Sequence, residues 1–597
     1  MINRLISLFL SLIMSLSPLS MLGSAGFADT LSVMLFGVPV TDGAVSEEYL
    51  DDLDFSDIIS VNSETGFFRN HLALILDPEL GVIKKHSLLL SEGLKAVGWC
   101  APVDIYIVSS FLPSAADIIS ECERLEKREE ILAAVPLTAS YLSEQLTPDD
   151  PFDPDSDLVW DDLSPAGANW WLEAVKARQA WDYSKWMSNV KVGVIDSGVY
   201  LDHPEIKGKI SFTDNRQKSR NIPSDHGTHV PGIIAAEQNN SIGVAGIVPD
   251  ASIIYTDWSN EKGQLWITDF AIIFGLVNEV KAGAKAVNLS VGRSGSIKSG
   301  KSELMFFNKI YDRIVFSYVI ASLLSQGYEF LLVESAGNGN TDSVRVDAQN
   351  NGLFAQIFEG SVFTGLHKIS KSDIINHIIL VGAAGNLGGG KYEQADFSNI
   401  GPYVEIAAPG RRVYSCGYTE EYRYMSGTSM AAPIVTAVAS LVWSINPSFT
   451  GEEVKNIITS STDAVAAANT EAESLASSEP ADVPMVNAKL SVEKALELTY
   501  GGFTRISGTV PEASNGKALY GGDEYTVLSD GSYDFIAVDG LELTLISADG
   551  ETVYPESGDS GETEPADTPV NDDDGETYDN AGVPDDLEQP IISALNF

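Results

Sequence analysis

Apolar and polar positions along this chain follow more than one period, and the changes of period divide it. Residues 192–195, 252–256, 286–289, 330–333 and 378–383 are short apolar runs bounded by polar turns, the pattern of strands buried on both faces. Between them, 270–281 and 314–325 carry longer apolar patterns that read as crossover helices. Such alternation predicts an α/β fold, a parallel sheet covered by helices on both faces. Ahead of it, 70–76 and 103–109 read as strands, 115–128 as a helix with charges on one face, and 131–136 as a closing strand. These predict a compact α+β unit within 29–147. After a helix at 492–498, short segments at 503–510, 525–528, 532–537 and 541–547 predict a small β-sandwich over 501–555.

The chain ends and joints are read from composition. Residues 1–28 hold one early charge, Arg4, then an apolar run and small residues up to Ala28; this reads as a secretory signal peptide, with a membrane anchor as the alternative. No later stretch reads as a membrane span. The Pro/Asp-rich run at 147–155 opens a linker over 148–169. Residues 463–484, rich in Ala, Ser and Glu, read as a surface loop, and 556–597 as an acidic disordered tail, since no Lys or Arg follows Lys517. A formal charge of −47 argues against nucleic acid as a partner. With Cys100, Cys122 and Cys416, the count is odd and no disulfide framework is expected, although Cys100 and Cys122 are candidates to pair.

Three segments carry chemistry. The strand 192–195 delivers Asp196 to its C-terminal end, where ligands gather in open α/β sheets. Asp225-His226-Gly227-Thr228-His229 opens a helix; its two histidines are spaced i, i+3, unlike the i, i+4 pair of a zinc helix. Ser426-Gly427-Thr428-Ser429-Met430-Ala431-Ala432-Pro433 is a small-residue turn that puts Ser429 at the start of an apolar helix. Acid, imidazole and hydroxyl in the order Asp…His…Ser form one of the known hydrolytic orders. The hydroxyl needs a base to become a nucleophile, and the carboxylate orients that base.

At these residues the chain resembles the subtilisin-like serine proteases (subtilases), over roughly 160–500, with the peptidase domain expected at 170–500. The resemblance implies Asp196 as orienting acid, His226 as general base and acid, Ser429 as nucleophile and His229 as structural. It implies Asn338, in Ser335-Ala336-Gly337-Asn338, as oxyanion donor; a second Ala-Gly-Asn ends at Asn386. Pro231 and Ser335 depart from the family pattern. Ser290, Val291 and Gly292 resemble the end of the strand whose exposed edge binds extended protein or peptide substrates. Residues 238–244 resemble the family's calcium loop, implying Glu205, Gln238, Asn240, Ile242 and Val244 around a structural calcium, with an ion-free turn as the alternative; the chemistry itself needs no cofactor. The 29–147 unit resembles the family pro-domain, an intramolecular inhibitor cut away near 142–155, with an unrelated binding domain as the alternative. These features together imply a secreted, extracellular or cell-surface endopeptidase made as a zymogen.

Overall fold

The computed structural model describes residues 57–141 and 169–554, apart from short breaks such as 259–265, 292–302 and 363–367. The expected signal segment, linker residues 148–168, the acidic tail and Gly292 lie outside the described residues.

The N-terminal unit comprises β1 (Ile58–Ser60), β2 (Thr65–Leu76), α1 (Val82–Ser91), β3 (Lys95–Cys100), β4 (Ile105–Ser109), α2 (Ala115–Leu125) and β5 (Ile131–Tyr141). Its strands form an antiparallel sheet ordered β3-β4-β2-β5, with β1 beside β2. Strand alternation sorts its two faces. Leu72, Leu74 and Leu76 pack with Leu88 and Leu89 of α1 and Ile118 and Leu125 of α2. Ala73 and Ile75 point the other way, into the larger core described next. The helix α1 and strand β3 were not foreseen from sequence, and β5 runs five residues past its expected end at 136.

The main sheet has ten strands. In chain order its elements and their neighbours are β6 (Lys191–Asp196), β7 (Ile210–Phe212), α3 (Asp225–Ala235), β8 (Ser252–Asp257), β9 (Trp266–Thr268), α4 (Asp269–Lys281), β10 (Ala286–Leu289), α5 (Glu303–Ser325), β11 (Leu331–Ser335), β12 (Ile378–Gly388), β13 (Lys391–Gln394) and β14 (Val404–Pro409). There follow the hairpin β15 (Val413–Cys416) and β16 (Tyr422–Met425), then α6 (Thr428–Ile445), α7 (Gly451–Ser460), β17 (Val465–Ala467), β18 (Val483–Pro484) and α8 (Ala488–Tyr500). The sheet runs β18-β17-β13-β12-β11-β10-β6-β8-β7, with β14 beside β12. Every ladder from β12 to β7 is parallel, as the buried apolar runs predicted. β9 lies outside this sheet and joins the N-terminal one beside β5.

Helix α6 is buried along its whole length. It is long and apolar enough to cross a membrane, contrary to the sequence expectation, yet its window lies entirely inside the protein; a helix apolar all round is what a core position demands. Two further expectations change. All three cysteines are free thiols, so Cys100 and Cys122 do not pair. Segment 463–484 is more than a surface loop: it carries β17 and β18, buries Ala466, and its Asn469 and Ala472 carbonyls accept from the buried Arg345 guanidinium.

The described residues from Gly502 to Tyr554 form a second compact unit. There β19 (Phe503–Thr509) pairs with β22 (Ser532–Val538), while β20 (Lys517–Tyr520), β21 (Asp523–Thr526), β23 (Leu543–Ile546) and β24 (Thr552–Tyr554) make a sheet ordered β21-β20-β23-β24. Ala513, Ala518, Val527 and Leu545 form its small core.

Candidate active site

The parallel register delivers Asp196 to the C-terminal end of β6, fully buried. Its Oδ1 accepts from His226 Nδ1 at 2.6 Å, from the Ser197 N–H at 2.7 Å and from Ser197 Oγ at 3.1 Å. The carboxylate is thus fixed by its own turn before it meets the imidazole. His226 stands in the first turn of α3, whose N-cap Ser224 accepts from the Gly227 N–H at 2.9 Å and lies 2.6 Å from Ser197 Oγ. Helix and strand end meet so closely that a Cβ on Gly227 would sit 2.1 Å from the Ser197 carbonyl oxygen; only glycine fits. The His226 side chain keeps 19% exposure. His229 is fully buried, and Nε2 donates to the Val413 and Arg423 carbonyls at 3.0 and 3.1 Å. Burial lowers its pKa to about 3, so it stays neutral and structural.

Ser429 lies in the first turn of α6, where N–H groups have no intrahelical acceptor. Its Oγ donates to the Ser290 carbonyl at 3.3 Å. Asn338 stands just past β11. Its Oδ1 accepts from the Thr428 N–H at 2.8 Å and from Thr428 Oγ1 at 2.9 Å. Those donors set the amide orientation, so the NH2 group is turned away from Thr428 and remains available. Asn386, the alternative, lies in the β12–β13 hairpin, where Oδ1 accepts from the Gly388 N–H.

Two prolines interrupt the helices that carry these residues, and each is compensated by a side-chain hydroxyl. Pro231 has no N–H for the carbonyl of Gly227, four residues earlier. Tyr255 Oη donates to that carbonyl at 3.0 Å and also to Ser197 O. Pro433 likewise has no N–H for the carbonyl of Ser429. Ser290 Oγ donates to it at 2.9 Å. Sequence reasoning missed these partners, because each spans more than two dozen positions.

The strand before Ser290 differs from expectation. β10 pairs with β6 on one side and β11 on the other, so 286–289 has no exposed edge. Ser290 and Val291 are buried, and the Ser290 hydroxyl is engaged with Ser429. The short strand β9 was not foreseen. It pairs antiparallel with β5, with Ala139 opposite Thr268, Ser140 opposite Ile267 and Tyr141 opposite Trp266. Thr138 of the N-terminal unit donates to Asp269, the first residue of α4. β9 has too few residues for a periodicity of its own, so no local signal marked it.

The 238–244 loop does not fit a cation as arranged. Glu205 is fully buried. Oε2 accepts from Asn240 Nδ2 at 2.7 Å; Oε1 accepts from the Val244 N–H at 3.1 Å and from Tyr422 Oη at 2.8 Å. Asn240 Oδ1 is occupied by the Ile242 N–H at 3.1 Å. The carboxylate therefore meets N–H and O–H donors, whereas calcium requires oxygens with free lone pairs. Of the expected calcium residues, Asn240 and Val244 bond the Glu205 anion, Ile242 bonds Asn240, and Gln238 Nε2 is buried with no partner among the described residues.

The model of the subtilase family matches residues 187–486, half of the chain. A thermophilic serine proteinase of Bacillus sp. strain AK1 is 30% identical over 270 residues, 44% of this chain and 54% of that protein. Thermitase of Thermoactinomyces vulgaris is 30% identical over 274 residues, 45% of this chain and 80% of that protein. Among solved structures, fervidolysin from Fervidobacterium pennivorans, a keratinolytic enzyme related to subtilisin, shares 17% identity over 80% of this chain and 70% of its own, with a TM-score of 0.49. With the matched segment running from the start of the Asp196 strand to the end of the Ser429 helix and beyond, the chain belongs to the subtilase family of subtilisin-like serine endopeptidases.

Proposed function

We propose that this protein is a secreted serine endopeptidase, made as a precursor that cleaves itself. The reading rests above all on the 2.6 Å bond from His226 Nδ1 to Asp196 Oδ1, at the sheet edge where the Ser429 helix begins. That bond fixes the tautomer with Nε2 as base and stabilises the imidazolium once it forms. When a peptide carbonyl arrives, the Ser429 hydroxyl leaves the Ser290 carbonyl, gives its proton to Nε2 and attacks. Charge on the carbonyl oxygen is met by the Asn338 amide and the Ser429 N–H. His226 then protonates the leaving amine and activates the water that frees the acyl group.

Once β5 has left, extended substrates would add to the edge of β9 that it covers and to the segment beginning at Ser290. The N-terminal unit acts as pro-domain and intramolecular inhibitor: β5 occupies that edge, and the chain beyond Tyr141 runs on to a cut within 142–155. The apolar run over 1–28 supports export. The two β-sheets after Gly502, read as a small sandwich, would serve attachment or accessory binding.

Ser429→Ala should abolish peptide hydrolysis, labelling by a fluorophosphonate, and conversion of the precursor. The loss expected in kcat is about 10⁶-fold, a size known for a subtilisin and carried over from it. Retained hydrolysis would remove Ser429 as the nucleophile, and N-terminal sequencing of the mature wild-type protein locates the cut.

A further inference from the structure

The turn that presents Asn338 has little to hold it by itself. Gly337 and Gly339 have φ of +92° and +82°, so both neighbours of Asn338 lie in the left-handed region and carry no side chain to pin them. One side chain from elsewhere in the chain spans the turn. Asn399 lies in the link between β13 and β14 and is 1% exposed. Its Nδ2 donates to the Ala336 carbonyl at 2.9 Å. Its Oδ1 accepts from the Gly339 N–H at 3.1 Å and from the Val346 N–H at 3.0 Å. Its own N–H donates to the Gly337 carbonyl at 3.0 Å.

The residues on both sides of Asn338 are thereby tied to one buried amide. At the other end Thr428 closes the arrangement: it holds Asn338 Oδ1, and its Oγ1 accepts from the Gly337 N–H at 3.1 Å. We propose that Asn399 is a positioning residue for oxyanion stabilisation: it fixes the Ala336–Gly337–Asn338–Gly339 turn so that the Asn338 amide stands where charge develops. It touches neither substrate nor Ser429 and acts through Asn338. The inference rests on the reading of Asn338 as the oxyanion donor.

A double-mutant cycle tests it on the full chain, with active sites counted by a fluorophosphonate and kcat and KM measured on a peptide anilide. Asn399→Ala is expected to lower kcat about 10–100-fold with KM within about twofold, the cost of a displacement near 1 Å. In an Asn338→Ala background the same change should cause no further loss, because the group it positions is gone. Equal losses in both backgrounds, or a loss carried by KM, overturn the proposal. Should Asn399→Ala not fold, Asn399→Asp has the same shape, keeps both accepted bonds and sets an oxygen against the Ala336 carbonyl. Taken through the same cycle, it should lower kcat only while Asn338 is present; equal losses with and without Asn338 again overturn the proposal. An unlabelled wild-type protein, or an Asn338→Ala variant with unchanged kcat, overturns the reading of the site itself and the proposal with it.

Discussion

Ser290 shows how far a residue's role can lie from its local sequence. Its resemblance to the end of the family's substrate-binding strand implied contact with substrate. Its hydroxyl instead satisfies the carbonyl that Pro433 leaves open on Ser429, and nothing near residue 290 announces a proline 143 positions later. Ser290→Ala should therefore cost about 1–3 kcal/mol, the penalty for a buried acceptor without a donor. Urea unfolding of the change in a Ser429→Ala background, where autolysis is absent, checks it. By contrast the placement of Asp196 at a strand end and of His226 and Ser429 in first helical turns was legible, because each sits in a contiguous motif. A second buried group makes a different prediction. Glu279 of α4 is fully buried against β6, where a Cβ on Gly193 would approach Oε2 to 2.4 Å. Burial raises its carboxyl pKa well above the usual range. The folded state then keeps a proton that the unfolded chain has released, so stability falls as pH rises from the ordinary carboxylate range toward the raised value, by up to about 1.4 kcal/mol per pH unit. Glu279→Gln should flatten that slope in melting temperatures measured across pH.

At the scale of elements, the parallel strands were readable because burial on both faces leaves unbroken apolar runs, and their crossover helices followed. Elements that owe their form to a partner were not. β9 is a strand because β5 lies beside it. The 238–244 loop likewise takes its shape from tertiary contacts. Asn239 and Ser241 have φ of +58° and +66°, and Asn240 between them and Val244 beyond donate to the Glu205 carboxylate, which takes the place of an ion. Chelator should therefore leave the melting temperature unchanged, and added calcium should not raise it. Glu205→Gln should lower stability by about 1.5–3 kcal/mol through loss of charge-assisted bonds from Asn240, Val244 and Tyr422. A calcium-dependent rise in the wild-type melting curve would show that the loop rearranges around an ion.

At the scale of the whole molecule, changes of period led us to expect an N-terminal α+β unit, an α/β body and a β-rich C-terminal unit, and the chain divides into two compact units at Gly501/Gly502. What the periods did not reveal is that the first two share a core. Ala73, Ile75 and Val135 of the N-terminal sheet belong to the same buried cluster as Phe270 and Phe274 of α4 and Val315 and Val319 of α5. That face of the N-terminal unit is apolar because the body covers it. Its own separate core, on the helix side, is smaller.

The ladder between β5 and β9 has a consequence for timing. A strand edge admits one neighbour, so, under the proposed function, a molecule still wearing its leading segment would be closed to other chains at β9. Waking would then feed on itself: the first few liberated copies strip the rest, and a population stays dormant for an interval that lengthens on dilution before it switches together.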